Sequence, residues 1–128
     1  MIQQFEDLVI WQEARQLCTG LYGIFDNNKD WGFKDQIQRA AVSIMNNIAE
    51  GFERNKVSKD NKQFISFLII ANASCGEVKS MTYLAQDINY LTKEQADELR
   101  NQCKSITAKI YSLIGVLQDN NGSNNRTC

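Results

Sequence analysis

The stretch QIQRAAVSIMNNIAEGFER, Gln36 to Arg54, carries two patterns at once. Its apolar residues Ile37, Ala40 with Ala41, Ile44, Ile48 and Phe52 recur at steps of three and four, which places them on one face of an α-helix. Its polar residues Gln36, Arg39, Ser43, Asn47, Glu50 and Arg54 are separated by three, four, four, three and four residues, so they form a second stripe on the same helix. A solvated outer face would be richer in lysine and glutamate. A stripe of amide, hydroxyl and paired charge reads instead as a polar seam within a bundle or between subunits, or as an exposed binding surface. A structural or interface role fits it better than a catalytic one, because buried polar groups serve networks as readily as reactions. Ser74 and Glu77, three apart further along the chain, are spaced to meet this stripe from a neighbouring helix.

Outward from this segment the same periodicity repeats. Leu8, Trp11, Ala14, Leu17 with Cys18, Leu21 and Phe25 give a first helix over about residues 7–26, and Asn27 with Asn28 suits a turn. The second helix, about 31–54, starts at Asp30, whose carboxylate can cap free amides. The third, about 59–89, has Ser58 as N-cap and turns Phe64, Phe67, Leu68, Ala71, Cys75, Val78, Met81, Ala85 and Ile88 inward. Gly76 within it reads as a site of close approach by a neighbouring helix in preference to a hinge. Thr92-Lys93-Glu94-Gln95 has the form of a capping box, and Leu99, Cys103, Ile106, Ile110, Leu113 and Leu117 give a fourth helix over about 93–119. The absence of proline permits helices of this length.

A chain of 128 residues, 43% of them hydrophobic, suits one domain. Short connections between long amphipathic helices favour antiparallel neighbours, so the expected fold is all-α, an antiparallel up-down-up-down four-helix bundle over residues 1–119. Residues 120–128, with no apolar periodicity, are expected to form a disordered polar tail.

Composition excludes much chemistry. With no histidine, the commonest general base and the commonest transition-metal ligand are both missing, and a di-iron bundle site built on Glu-x-x-His pairs cannot form. No glycine falls in a phosphate-loop pattern. Cys18, Cys75, Cys103 and Cys128 have no C-x-x-C spacing and read as reduced thiols, the first three on apolar faces and Cys128 exposed. Glu94, Asp97 and Glu98 could formally hold Mg²⁺, but acidic residues in a first helical turn are explained by the helix dipole. No catalytic residue, metal, cofactor or small-molecule substrate is expected. The start, MIQQFEDLVIWQEA, has no secretory pattern and no apolar run approaches the ~20 residues of a membrane span, so a soluble cytoplasmic protein with no membrane partner is expected.

Charges nearly cancel, 14 basic against 15 acidic, so any attraction to nucleic acid must be local. Arg54, Lys56, Lys59 and Lys62 crowd the connection between the second and third helices, opposed by Glu53 and Asp60, and are the candidate nucleic-acid-binding residues.

The segments FEDLVIWQEA (Phe5 to Ala14), QIQRAAVSIMNNIAEGFER and IANASCGE (Ile70 to Glu77) resemble the family called four helix bundle protein, or 23S ribosomal RNA intervening-sequence protein. The string Asn47 to Gly51, after Gln36, Arg39 and Ser43, is the most specific element, and the resemblance covers roughly residues 5–117. It implies a left-handed antiparallel bundle, assembly as a homopentamer and no catalytic activity. A related branch, the accessory proteins of diversity-generating retroelements, associates with a reverse transcriptase and nucleic acid. By resemblance Trp11 and Tyr22 match aromatic positions of the first helix, Asn47 and Glu50 the polar signature of the second, and Ser74 and Glu77 the Ser-x-x-Glu of the third. Met45 stands where many members have proline, which implies a straighter second helix, and Ala73 where a glycine often precedes the matched serine. The expected function is a homo-oligomeric scaffold that binds RNA or an RNA-associated protein. A protein-only adaptor is the alternative, and a magnesium-dependent hydrolase stands last.

Overall fold

The computed structural model describes residues 2–126, and side chains as far as Asn120. After a single 3₁₀ turn at Phe5–Asp7 come four helices: α1 (Val9–Ile24), α2 (Trp31–Ser58), α3 (Lys62–Asp87) and α4 (Lys93–Arg126). There is no strand among the described residues. Each helix packs against its neighbour in sequence, and α1 closes the ring against α4. The core is drawn from all four: Ala14, Leu17 and Leu21 of α1, Ile37, Ile44 and Ile48 of α2, Leu68, Ala71 and Val78 of α3, and Leu99, Ile106 and Ile110 of α4 are almost fully buried.

Two helix starts form as the sequence dictates. Asp30 accepts a hydrogen bond from the Phe33 amide at 3.1 Å and another from the Tyr90 hydroxyl at 2.6 Å. These two bonds, the Tyr90 one foremost, hold its carboxyl below the usual carboxylate range. At α4 the Gln95 amide donates to Thr92 Oγ1 at 3.1 Å while the Thr92 amide donates to Gln95 Oε1 at 2.9 Å, a reciprocal capping box.

The α2–α3 connection is tighter than the sequence suggests. Ser58 does not cap α3. It is the last residue of α2, and its hydroxyl donates back to the Arg54 carbonyl at 3.4 Å. Nothing between Arg54 and Ser58 is sterically unfit for a helix, so α2 runs on until Lys59 turns left-handed at φ 60° and donates its amide to the Asn55 carbonyl. Asn61, also left-handed at φ 66°, is clamped to Asn55 by two amide hydrogen bonds of 2.9 and 3.0 Å and reaches the Leu117 carbonyl at 3.3 Å. Asparagine tolerates this conformation better than most residues. At the other end α3 stops at Asp87, and the left-handed residue that follows is Asn89. Helix α4 continues to Arg126, past the boundary at 119. Of the segment 120–128 expected to be a disordered tail, residues 120–126 continue α4, and Cys128, expected to be exposed, lies outside the described residues.

The glycine at a close helix approach is Gly51 and not Gly76. A methyl group added at Gly51 would sit 2.7 Å from Phe67 Cβ, 3.1 Å from Phe64 Cδ1 and 3.4 Å from the Phe64 carbonyl oxygen. At Gly76 it would meet nothing within 4 Å, because that residue faces outward. Ile88, expected in the core, is likewise 41% exposed.

Across the ring, Glu13 of α1 accepts from Ser105 at 2.6 Å and pairs with Lys109 of α4. Burial alone would raise the Glu13 carboxyl, but hydrogen bonds from Lys109 and Ser105, with the lysine charge, carry it below its usual value.

Two outcomes are expected in urea titrations. Gly51→Ala destabilises the protein by about 1–3 kcal/mol, since the overpacking at Phe67 and Phe64 outweighs the ~1 kcal/mol gain in helix propensity. A neutral or stabilising effect would contradict the close approach. For Glu13, a lowered folded-state pKa means that its contribution is present above the unfolded value and lost as pH falls through the folded one. Glu13→Gln should therefore lower stability at pH 7 by roughly 1 kcal/mol or less and flatten the loss of stability between about pH 5 and pH 3.

Candidate functional site

The polar stripe of α2 divides. Ser43 and Ser74 share a hydroxyl–hydroxyl hydrogen bond of 2.8 Å between α2 and α3, and Asn47 donates to both the Ser43 carbonyl, at 2.7 Å, and the Ser43 hydroxyl, at 2.9 Å. Gln36 donates to the Glu77 carboxylate across the same groove. Ser43, Asn47 and Ser74 are half-buried, while Gln36 and Glu77 hold its exposed end. These five residues form a seam within the chain. Arg39 and Glu50 do not join it. Both are exposed; Arg39 pairs with Asp35 at 2.7 Å and Glu50 with Arg54 at 3.0 Å.

The basic turn is exposed throughout, but its cations are not equivalent. Arg54 is held by Glu50 and lies over the Phe67 ring, 5.2 Å from its centroid. Lys56 reaches Glu53 at 3.3 Å and lies over Phe52. Lys59 and Lys62 make no ion pair with a described residue and face solvent. Pairs this exposed are weakly bound and readily exchange partners.

Among the acidic residues at the start of α4, the Asp97 carboxylate accepts from both Lys93 and Arg100 at 2.9 Å, which holds it below the usual range. No group of three or more potential ligand side chains that could hold a metal occurs among the described residues. Cys18, Cys75 and Cys103 are free and buried. Burial pushes the Cys18 thiol up to about 11, and hydrogen bonding to Cys75 together with burial raises Cys103. Cys75 donates its thiol to the Cys103 carbonyl at 3.4 Å.

Two surfaces escaped sequence reading. The first runs along α3 and past its end, where Ile69, Ile70 and Leu84 are 57%, 48% and 50% exposed and the C-cap residue Ile88 41%, with Ala73 and Gly76 between them. The apolar run Phe67 to Ala71 was a signal, since five consecutive residues go all the way round a helix and only some of them can face one core. The second is a cleft of about 290 Å³ between α3 and α4, lined by Lys79, Tyr83, Asp97, Arg100, Asn101 and Lys104. Its cations come from two helices and form no run in the sequence.

No helix among the described residues is long and apolar enough to cross a membrane. No curated protein matches the chain. A crystal structure from Bacteroides thetaiotaomicron VPI-5482, described as a protein with unknown function from the S23 ribosomal protein family, is similar in fold, with a TM-score of 0.73 at 24% identity. The similarity covers 83% of this chain and 98% of that one. The sequence also matches, over residues 6–112, the family described as 23S rRNA-intervening sequence protein, and the chain belongs to that family.

Proposed function

We propose that this protein is a non-catalytic cytoplasmic scaffold that assembles with copies of itself and presents its basic turn to RNA or an RNA-associated protein. The observation that carries the reading is the apolar face of α3. Three large side chains of one helix, Ile69, Ile70 and Leu84, and Ile88 just past its end stay in water although the core is already filled from all four helices. Exposed apolar side chains toward both ends of one helix, with the small residues Ala73 and Gly76 between them, fit a protein–protein contact. Gly76 and Ala73 in its midst would let a second helix approach closely, a role that no helix of the same chain fills at Gly76. The number of copies, five, rests on the family resemblance.

RNA contact rests on Lys59 and Lys62, the unpaired cations of the turn, with Arg54 and Lys56 able to leave weak surface pairs. Repetition of the turn around an assembly would multiply a modest local charge. A second reading, an adaptor that touches only protein, is favoured by the formal net charge of −1.

Light scattering on a sizing column should give a mass of five times the 14.6 kDa protomer. Ile70→Glu with Leu84→Glu should reduce it to the protomer without loss of helical circular dichroism; a wild-type protein that runs as a monomer would sink the scaffold reading. RNA retained by the purified assembly should be released by salt. Reversing Arg54, Lys56, Lys59 and Lys62 to glutamate should abolish that retention with the mass unchanged, and lower the slope of log K against log salt by roughly 3 for single strands. An assembly free of RNA at low salt would select the protein-only adaptor.

A further inference from the structure

The cleft between α3 and α4 is built around one ordered cation. The Arg100 side chain is only 13% exposed. Its guanidinium donates to Gln86 Oε1 at 2.8 Å, Asp97 Oδ1 at 2.9 Å and Thr82 Oγ1 at 3.4 Å, and lies 4.2 Å from the centroid of the Tyr83 ring. These contacts use three of the five N–H donors of an arginine and fix the plane of the remaining two. Lys79 on α3 and Lys104 on α4 line the same cleft, and neither forms an ion pair with a described residue. Asp97 is the one carboxylate in the lining, and it is already engaged by Lys93 and Arg100. Asn101 adds a side-chain amide.

A structural tie between helices accounts for Arg100. It does not account for two further cations that converge on the same cleft without a counter-charge. Like charges brought together in this way repel one another unless an anion lies between them. Three cations against one occupied carboxylate suit a dianion better than a monoanion. A volume of about 290 Å³ lies at the small end of pockets that enclose a ligand.

We propose that this cleft binds a phosphate monoester, with Lys79, Arg100 and Lys104 around the phosphate and Asn101 and the Tyr83 hydroxyl edge beside the group it carries. The site is separate from the basic turn, and all of its lining residues come from one chain. The same chemistry is offered by a small sugar phosphate and by the phosphorylated 5′ end of an RNA.

Calorimetry on the full chain tests the proposal with ribose 5-phosphate and with a short oligoribonucleotide bearing either a 5′-phosphate or a 5′-hydroxyl. Lys79→Gln and Lys104→Gln remove cleft charges from partly exposed positions, and Lys29→Gln removes one elsewhere. Ribose 5-phosphate should bind, and each cleft variant should weaken it roughly tenfold, with the Lys29 variant unchanged. Binding of the sugar phosphate alone assigns the cleft to small phosphorylated metabolites. Binding of the 5′-phosphorylated oligonucleotide but not its 5′-hydroxyl counterpart, with the same loss in the cleft variants, assigns it to RNA ends. Absence of binding by both phosphorylated probes, or affinities that Lys79→Gln and Lys104→Gln leave unchanged, would overturn the proposal.

Discussion

The contact on which the rest of this structure depends is the close crossing of α2 and α3 at Gly51. Without a side chain there, the α2 backbone comes so near that Phe67 Cβ and the Phe64 ring lie only 2.7 and 3.1 Å from where a methyl group would be. That approach brings the two helices within hydroxyl-to-hydroxyl reach at Ser43 and Ser74 and within amide-to-carboxylate reach at Gln36 and Glu77. These polar contacts are short-armed. Serine has a single-atom reach beyond Cβ, so a seam of this kind forms only where the backbones are already close. The glycine and the polar stripe that precedes it are therefore two parts of one device.

Much of the fold was legible in the sequence because its causes are local. Apolar spacing specified four helices, and the caps at Asp30 and at Thr92 with Gln95 act within three residues of themselves. What was not legible depends on residues meeting from afar. Helix α2 ends at Ser58 because Lys59 turns left-handed and Asn55 clamps Asn61, an arrangement that no propensity of Ser58 reveals. The importance of glycine was misplaced onto Gly76 for a similar reason. A glycine's role depends on what passes opposite, and the sequence does not say which of two helical glycines faces a neighbour.

The candidate site follows the same division. The basic turn could be found because its cations lie within nine residues of one another. The cleft at Arg100 joins Lys79 to residues of a different helix and exists only once α3 and α4 have paired. Local concentration of charge is what a sequence displays; convergence is what a fold adds. In the turn the cations are all exposed, whereas in the cleft an aromatic ring and three acceptors hold one of them in place.

The clamp between Asn55 and Asn61 also bears on how the chain finds this fold. The pairs joining α2 to α3 and α3 to α4 lie close in sequence, whereas Glu13 meets Ser105 only across 92 residues. Loop-closure entropy grows with the length enclosed, by about 0.6 kcal/mol for each doubling. The three-residue turn at Lys59 to Asn61 encloses almost none, so α2 and α3 form the hairpin that is entropically cheapest to nucleate. Closure of α1 onto α4 is the costliest in chain entropy and gains the least local help. The seam that completes the ring is thus the contact for which folding waits longest.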